Sequence, residues 1–235
     1  MRSFPLYSHL FYGLLRDKRP RTQGHRLPAV PLSFRNGRHA TLSDLSEVSM
    51  TVLVLGLTLF FAPHFLREFG LRQPLKSSLP SEGAYMGLYS LVALVGLGLI
   101  IWGKSLSPFQ MIWQPIYEWR SLSLMLMIPA LICVVAGNAP LSYLRKILRN
   151  PMLVGILLWS LSHLWSNGDF SSMLLFGSFA LWSSVKIFTM RSVINFESKS
   201  PKLIWDIISL LVGLSLYVLI GLYHGELFGV GVSLA

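Results

Sequence analysis

RNPMLVGILLWSLSHLWSNGDFSSMLLFGSFALWS, residues 149–183, decides the class of this chain. It opens on Arg149 and Pro151, then runs apolar for about four helical turns. One ionisable side chain, His163, lies inside that run, and Asn167-Gly168-Asp169 separates it from a second apolar run. Two apolar runs joined by three polar residues read as a helical hairpin. An imidazole within such a span is costly to hide when charged, so it is usually kept for a reason. The plainer reading is a neutral histidine near a helix end, hydrogen-bonded to a neighbour.

Composition extends this reading to the whole chain. It has 235 residues, 53% hydrophobic and 13% charged, where soluble proteins carry about 25% charged residues. Several runs approach the roughly 18 apolar residues of a membrane span. The expected fold is all-α, a polytopic transmembrane bundle of about six helices. In a soluble protein the net charge of +10 would suggest nucleic acid. Here it reports Lys and Arg gathered in loops and tails, and no nucleic-acid partner is expected. A single cysteine, Cys133, excludes an intrachain disulfide and reads as an inert packed thiol.

Residues 1–49 differ from the rest, with eight Lys/Arg against three acids and no apolar run long enough to span. They read as a basic, disordered tail, with two alternatives: a targeting segment, or a start codon placed upstream of Met50. The membrane domain is assigned to residues 50–235. His9, His25 and His39 are scattered through the tail without metal-ligand spacing.

The expected spans are 48–66, 84–102, 121–136, 151–165, 170–190 and 203–223. Pro63 should kink or end the first. Loops after the first, third and fifth spans carry Arg67, Arg72, Lys76, Arg145, Lys146, Arg149, Arg191, Lys199 and Lys202. The opposite side, from Met50 onward, carries Lys104 and Arg120. Nine against two places the first set in the cytoplasm. Trp102, Trp113, Trp119 and Trp165 sit near span ends, as an interfacial belt should.

Few residues within the spans could carry chemistry. They hold His64, His163 and Lys186, the last close enough to a helix end to snorkel. No phosphate loop, nucleophile elbow, HExxH or pair of buried carboxylates is present. Asp169 reads as the cap of the fifth helix, and Met125 and Met127 as packing. Two imidazoles on separate helices of an apolar bundle can hold one haem iron. Counted at about 1.5 Å per residue, His64 and His163 differ in depth by about 13 Å, near the reach of two side chains.

The core resembles the NnrU family, bacterial multi-span proteins whose relatives include the plant zeta-carotene isomerase. The matching segments are His64-Phe65-Leu66-Arg67, Gly87 to Gly96, Leu126 to Ala130, and above all Arg149 to Asp169. That last stretch is similar to a family pattern of Arg-His-Pro, Trp-x-Leu-x-His-Leu and Asn-Gly. The resemblance implies haem b held by two histidines, which fall on His64 and His163 here. It departs at Ser160, where the isomerase has cysteine, at Asn150, where the family has histidine, and at Pro63 and Phe65 beside His64.

Two functions follow as expectations. One is a haem-dependent isomerase of an apolar polyene that enters from the bilayer. The other is a non-catalytic haem-binding or accessory protein of denitrification, serving nitrite or nitric oxide reduction. A bacterial inner membrane is the implied location. A transporter finds no inverted repeat or charged cavity lining to support it.

Overall fold

The computed structural model describes residues 42–116, 118, 120–190, 196 and 200–232. Among them, eight helices and no named strand occur. They are α1 (Leu42–Phe65), α2 (Arg72–Ser78), α3 (Glu82–Leu106), α4 (Arg120–Asn138), α5 (Tyr143–Leu148), α6 (Pro151–Ser166), α7 (Phe170–Met190) and α8 (Leu203–Phe228). Five contain stretches long and apolar enough to cross a membrane, and α6 is a shorter apolar helix of 16 residues. The all-α polytopic bundle is therefore observed. The short loop helices α2 and α5 were not expected from the sequence.

Local chemistry explains where the helices begin. Ser81 accepts from the Ala84 N–H at 3.1 Å, and Ser142 accepts from the Arg145 N–H at 3.1 Å. Asn150 caps α6 by accepting from Leu153 N–H at 3.3 Å, with Pro151 in the first turn where its missing N–H costs nothing. α1 starts at Leu42, so residues 42–49, assigned to the tail from composition, form its first two turns. Ser49 is 1% exposed. Residues 1–41, with His9, His25 and His39, lie outside the described residues, as do Trp119, Arg191 and Lys199. Pro63 ends α1 within two residues, while Pro129 leaves α4 continuous.

The helices pack as a row in the order α3, α1, α7, α6, α4, α8. Glycines weld most of its joints. A Cβ on Gly56 would meet Ile100 N at 2.6 Å, and those on Gly96 and Gly103 would strike the backbones of Phe60 and Leu53. A Cβ on Gly155 would meet Ala130 O at 2.5 Å across α4 and α6, and one on Gly213 would meet Ile132 Cα at 2.7 Å across α4 and α8. Lipid offers helices no hydrophobic drive to associate, so close backbone approach at small residues supplies the packing. The α1–α7 joint is different. It is built from side chains: Leu53 and Leu57 with Leu174 and Leu175, then Phe60 and Phe61 against Phe179.

This contrast makes a prediction. Gly155→Val should lower the unfolding stability in detergent by about 3 kcal/mol, the upper range of overpacking, because backbone cannot retreat. Gly177→Ala on α7, whose Cβ would meet nothing within 4 Å, should leave it unchanged within about 0.5 kcal/mol. Equal effects at both sites would contradict the weld.

Two ion pairs tie α7 to the α1–α3 hairpin, one at each end. Lys104 Nζ lies 3.0 Å from Asp169 Oδ1 and donates to Ser171 and Ser172 Oγ at 2.7 and 2.8 Å. Asp169 also accepts from Ser172 N–H at 2.9 Å, so it caps α7 as expected. At the other end Lys186 Nζ meets Glu68 Oε2 at 2.7 Å. Lys186 is 7% exposed. The snorkelling expected for it is thus replaced by a buried pair, because a carboxylate distant in sequence reaches its ammonium.

The Asn167-Gly168-Asp169 turn is pinned by the segment after α3. Gly168 O accepts from the Ile112 and Trp113 N–H groups at 2.8 and 3.2 Å, and Gln110 O accepts from Phe170 N–H at 2.9 Å. A Cβ at Gly168 would collide with Trp113 O, so no larger residue fits there.

Candidate functional site

The two histidines flank one helix. His64 is the penultimate residue of α1, and His163 stands three residues before the end of α6. α7 packs against both helices and presents Phe176, Phe179 and Trp182, spaced three apart, along the face between them. His64 meets Trp182 edge-on at 5.5 Å between centroids, and His163 stacks on Phe176 at 4.6 Å and 28°. Phe179 touches Phe60 and Phe61 on one side and Trp159 on the other, at 5.4, 5.0 and 5.5 Å. Six residues of α7 separate the two contact points, about 9 Å along its axis.

Both imidazoles are set up in the same way. His64 Nδ1 lies 2.6 Å from Phe60 O, and His163 Nδ1 lies 2.8 Å from Trp159 O, each one turn back on its own helix. A carbonyl can only accept, so Nδ1 carries the proton in each ring. In the neutral ring the remaining lone pair is on Nε2. This is the arrangement metal-bound histidines adopt, with the second nitrogen's N–H held by a carbonyl that fixes ring and tautomer. Stacked aromatic neighbours, Phe60 on His64 and Phe176 on His163, hold the ring planes.

The donor chemistry fits a haem iron. One iron shared by both rings would need their Nε2 atoms about 4 Å apart, from two metal–nitrogen bonds of about 2 Å. Phe179 and Trp159 stand between the rings, so sharing requires these side chains to rotate. Among the described residues no group of three His, Cys, Asp or Glu side chains converges as a metal site.

Ser160, where the isomerase carries cysteine, is wholly buried and donates to Ile156 O at 2.8 Å. Its hydroxyl is spent on its own helix. Cys133 is buried elsewhere, on α4. His224 lies within α8 rather than beyond it, with Nδ1 2.5 Å from Val230 O.

Electrostatics at both ends of α7 favour ionised carboxylates. Burial alone would raise the Asp169 carboxyl, but the hydroxyls of Ser172 and Ser171, the Ser172 N–H and Lys104 hold it well below the usual carboxylate range. Burial likewise opposes the Glu68 charge, and the hydrogen bond and charge of Lys186 outweigh it, so that carboxyl too lies below its ordinary value. The Glu68 pair escaped the sequence reading because 118 residues separate its partners.

An apolar groove of about 540 Å³ opens between α4, α6 and α7, lined by Leu122, Leu126, Leu161, Leu164, Trp165 and Met173, with Trp113 at its edge. It shares α6 with His163.

No curated protein and no solved structure matches this chain. A family model described as NnrU protein matches residues 52–232, a range that contains both histidines, the α7 ridge and both ion pairs. This multi-span membrane protein belongs to the NnrU family.

Proposed function

We propose that this NnrU protein is a haem-dependent membrane enzyme, an isomerase of an apolar polyene, in which His64 and His163 hold haem b. The observation that carries the reading is the matched pair of imidazoles. Each has its Nδ1–H committed to a carbonyl one turn back and its Nε2 lone pair left for a metal. A haem held there supplies redox-active iron in an apolar setting. The chain's own part is to fix both ring tautomers, exclude water with the Phe60, Phe176 and Phe179 rings, and keep α7 in register by its two ion pairs.

The groove beside α6 supports an apolar substrate, since its aliphatic and aromatic lining suits a hydrocarbon arriving from lipid. With Ser160 bonded to Ile156 O, no thiolate stands near His163, so this chain works without exchange between thiolate and imidazole ligands. Detergent-purified protein should show a Soret band, as isolated or after addition of haemin. Its absence in both cases sinks the haem reading. Isomerisation of a supplied polyene by the loaded protein separates the enzyme from a non-catalytic haem or accessory protein of nitrogen-oxide reduction.

The Lys/Arg-rich loops after α1, α4 and α7 support a reading in which that side of the bundle faces the cytoplasm of a bacterial inner membrane. Reporter fusions after Lys76 and after Lys146 should both read cytoplasmic, and an external signal at either site reverses the orientation.

A further inference from the structure

The segment between α4 and α6 sets a cluster of cations beside exposed apolar side chains. Residues 139–150 hold Arg145, Lys146 and Arg149 and no acid. Four residues join α4 to α5, and two join α5 to α6. α4 is long and apolar enough to cross a membrane, and α6 packs beside it. Tethers this short keep α5 at the level where α4 ends and α6 begins, which is the headgroup region of a bilayer.

α5 is also fixed in orientation. Asp206 of α8 accepts from the Tyr143 and Leu144 N–H groups at 2.9 Å each, and Leu141 O accepts from Lys202 N–H at 3.1 Å. The Arg145 guanidinium donates to Ala139 O. At the far end Asn150 N–H reaches back to Leu148 O at 2.7 Å, closing a γ-turn across Arg149, whose φ and ψ are 63° and −50°. That turn is of the rare, strained kind, and it is held here by an arginine rather than a glycine. So placed, α5 half-buries Leu144, Arg145 and Leu148 and exposes Tyr143, Lys146 and Ile147. Tyr143 and Ile147, four residues apart and so on one face, are 51% and 76% exposed. Lys146 stands beside them, and Lys202 is exposed next to Leu141.

An apolar pair flanked by cations at a membrane surface suits acyl chains topped by a negative phosphate. A zwitterionic lipid would offer the chains but bring its own cation toward Lys146. An acidic protein would satisfy the lysines and leave Ile147 without apolar cover. Asp206, the acid that touches α5, already has both oxygens occupied by N–H groups. We propose that α5 and the start of α8 form a binding site for an anionic phospholipid. Lys146 and Lys202 engage its phosphate charge, and Tyr143 and Ile147 lie among its acyl chains. The site rests on the membrane fold alone and is independent of the haem reading.

The test titrates the full chain in a non-ionic detergent with three probes: dioctanoyl phosphatidylglycerol, dioctanoyl phosphatidylcholine and inorganic phosphate. Phosphatidylglycerol should bind about thirtyfold more tightly than phosphatidylcholine, from about fivefold for each of two surface cations. Lys146→Gln with Lys202→Gln should remove that preference and leave phosphatidylcholine within about twofold. Should the double variant fail to accumulate, Lys146→Gln alone should cost phosphatidylglycerol about fivefold. Lys76→Gln removes a cation from a different loop, one paired with Glu82 at 2.7 Å, and should change neither lipid. An equal loss in Lys76→Gln would trace the preference to net charge and overturn the site. Displacement of the lipid by inorganic phosphate at equal concentration would identify a free-anion site and overturn it as well. Equal affinity of the wild type for both lipids overturns it too, and leaves this face to a protein partner.

Discussion

Alanine in place of His64 or His163 should weaken haemin binding by at least about a hundredfold, since outer-shell changes around a metal already cost ten- to a hundredfold. Any haem retained should show a shifted Soret band. The wild-type complex should be six-coordinate and low-spin, as two neutral imidazoles on one iron make it. Ser160→Ala should leave the spectrum unchanged, because the Ser160 hydroxyl is bonded to Ile156 O within its own helix. His224→Ala is a second comparison expected to be silent, its Nδ1 lying against Val230 O. The Phe179 and Trp159 rings between the two histidines make this a demanding test of the pair. A large loss on replacing one histidine and none on replacing the other would mean a single axial ligand and would end the two-histidine assignment.

Lys186→Met should lower stability by about 3 kcal/mol, read as the shift in denaturant or thermal unfolding in detergent. Removing one partner of a buried pair leaves the other charge uncompensated, and that penalty exceeds what the pair itself contributes. The side chains of Lys186 and Glu68 are 9% and 12% exposed, which places the pair in the buried regime. The double variant Lys186→Met with Glu68→Gln should recover part of the loss, and the difference measures the coupling. Lys104→Met should cost less, since the Lys104 side chain is 32% exposed and Asp169 keeps the Ser171 and Ser172 donors. The Lys186→Met penalty should also depend on pH. The Glu68 carboxyl lies below its ordinary value of 4.5 in the folded chain. The pair's contribution is therefore complete above that ordinary value and is lost as pH falls through the lowered folded value. At still lower pH the carboxyl is neutral in both states and the penalty should shrink. A Lys186→Met loss under about 0.5 kcal/mol at neutral pH would identify the pair as a solvated surface contact.

The membrane class was legible from the chain because it depends on local quantities. Apolar run length is read directly from residues, and the expected spans match α1, α3, α4, α6, α7 and α8, with 170–190 reproduced at both ends. Caps were legible for the same reason: Asp169 sits beside the N–H it accepts, so its role on α7 needed no tertiary information. His64 and His163 stood out in the sequence as rare polar residues in apolar surroundings, and their role as ligands is the proposal made above. The expected first span, 48–66, matches the apolar stretch Glu47–Phe65, but sequence alone left the polar turns that precede it in α1 to the tail and ended the last span at Tyr223, where α8 runs on to Phe228.

Tertiary structure decided the remainder, because it concerns residues far apart in the chain. Lys186 and Glu68 are 118 positions apart, and nothing local marks the carboxylate as the partner that holds the lysine inside. The order of helices in the row follows from which glycines let α1 and α3, α4 and α6, and α4 and α8 touch, while α7 is held between the two histidines by side-chain packing. The buried N–H of Trp182, which has no partner among the described residues, is likewise a tertiary property: any tryptophan carries the donor, and only packing decides whether an acceptor is within reach. Apolar patterning selects the bilayer and the spans, since it reports the solvent that each residue prefers. The site depends on which side chains long-range packing brings face to face, and that information lies in the contacts between helices.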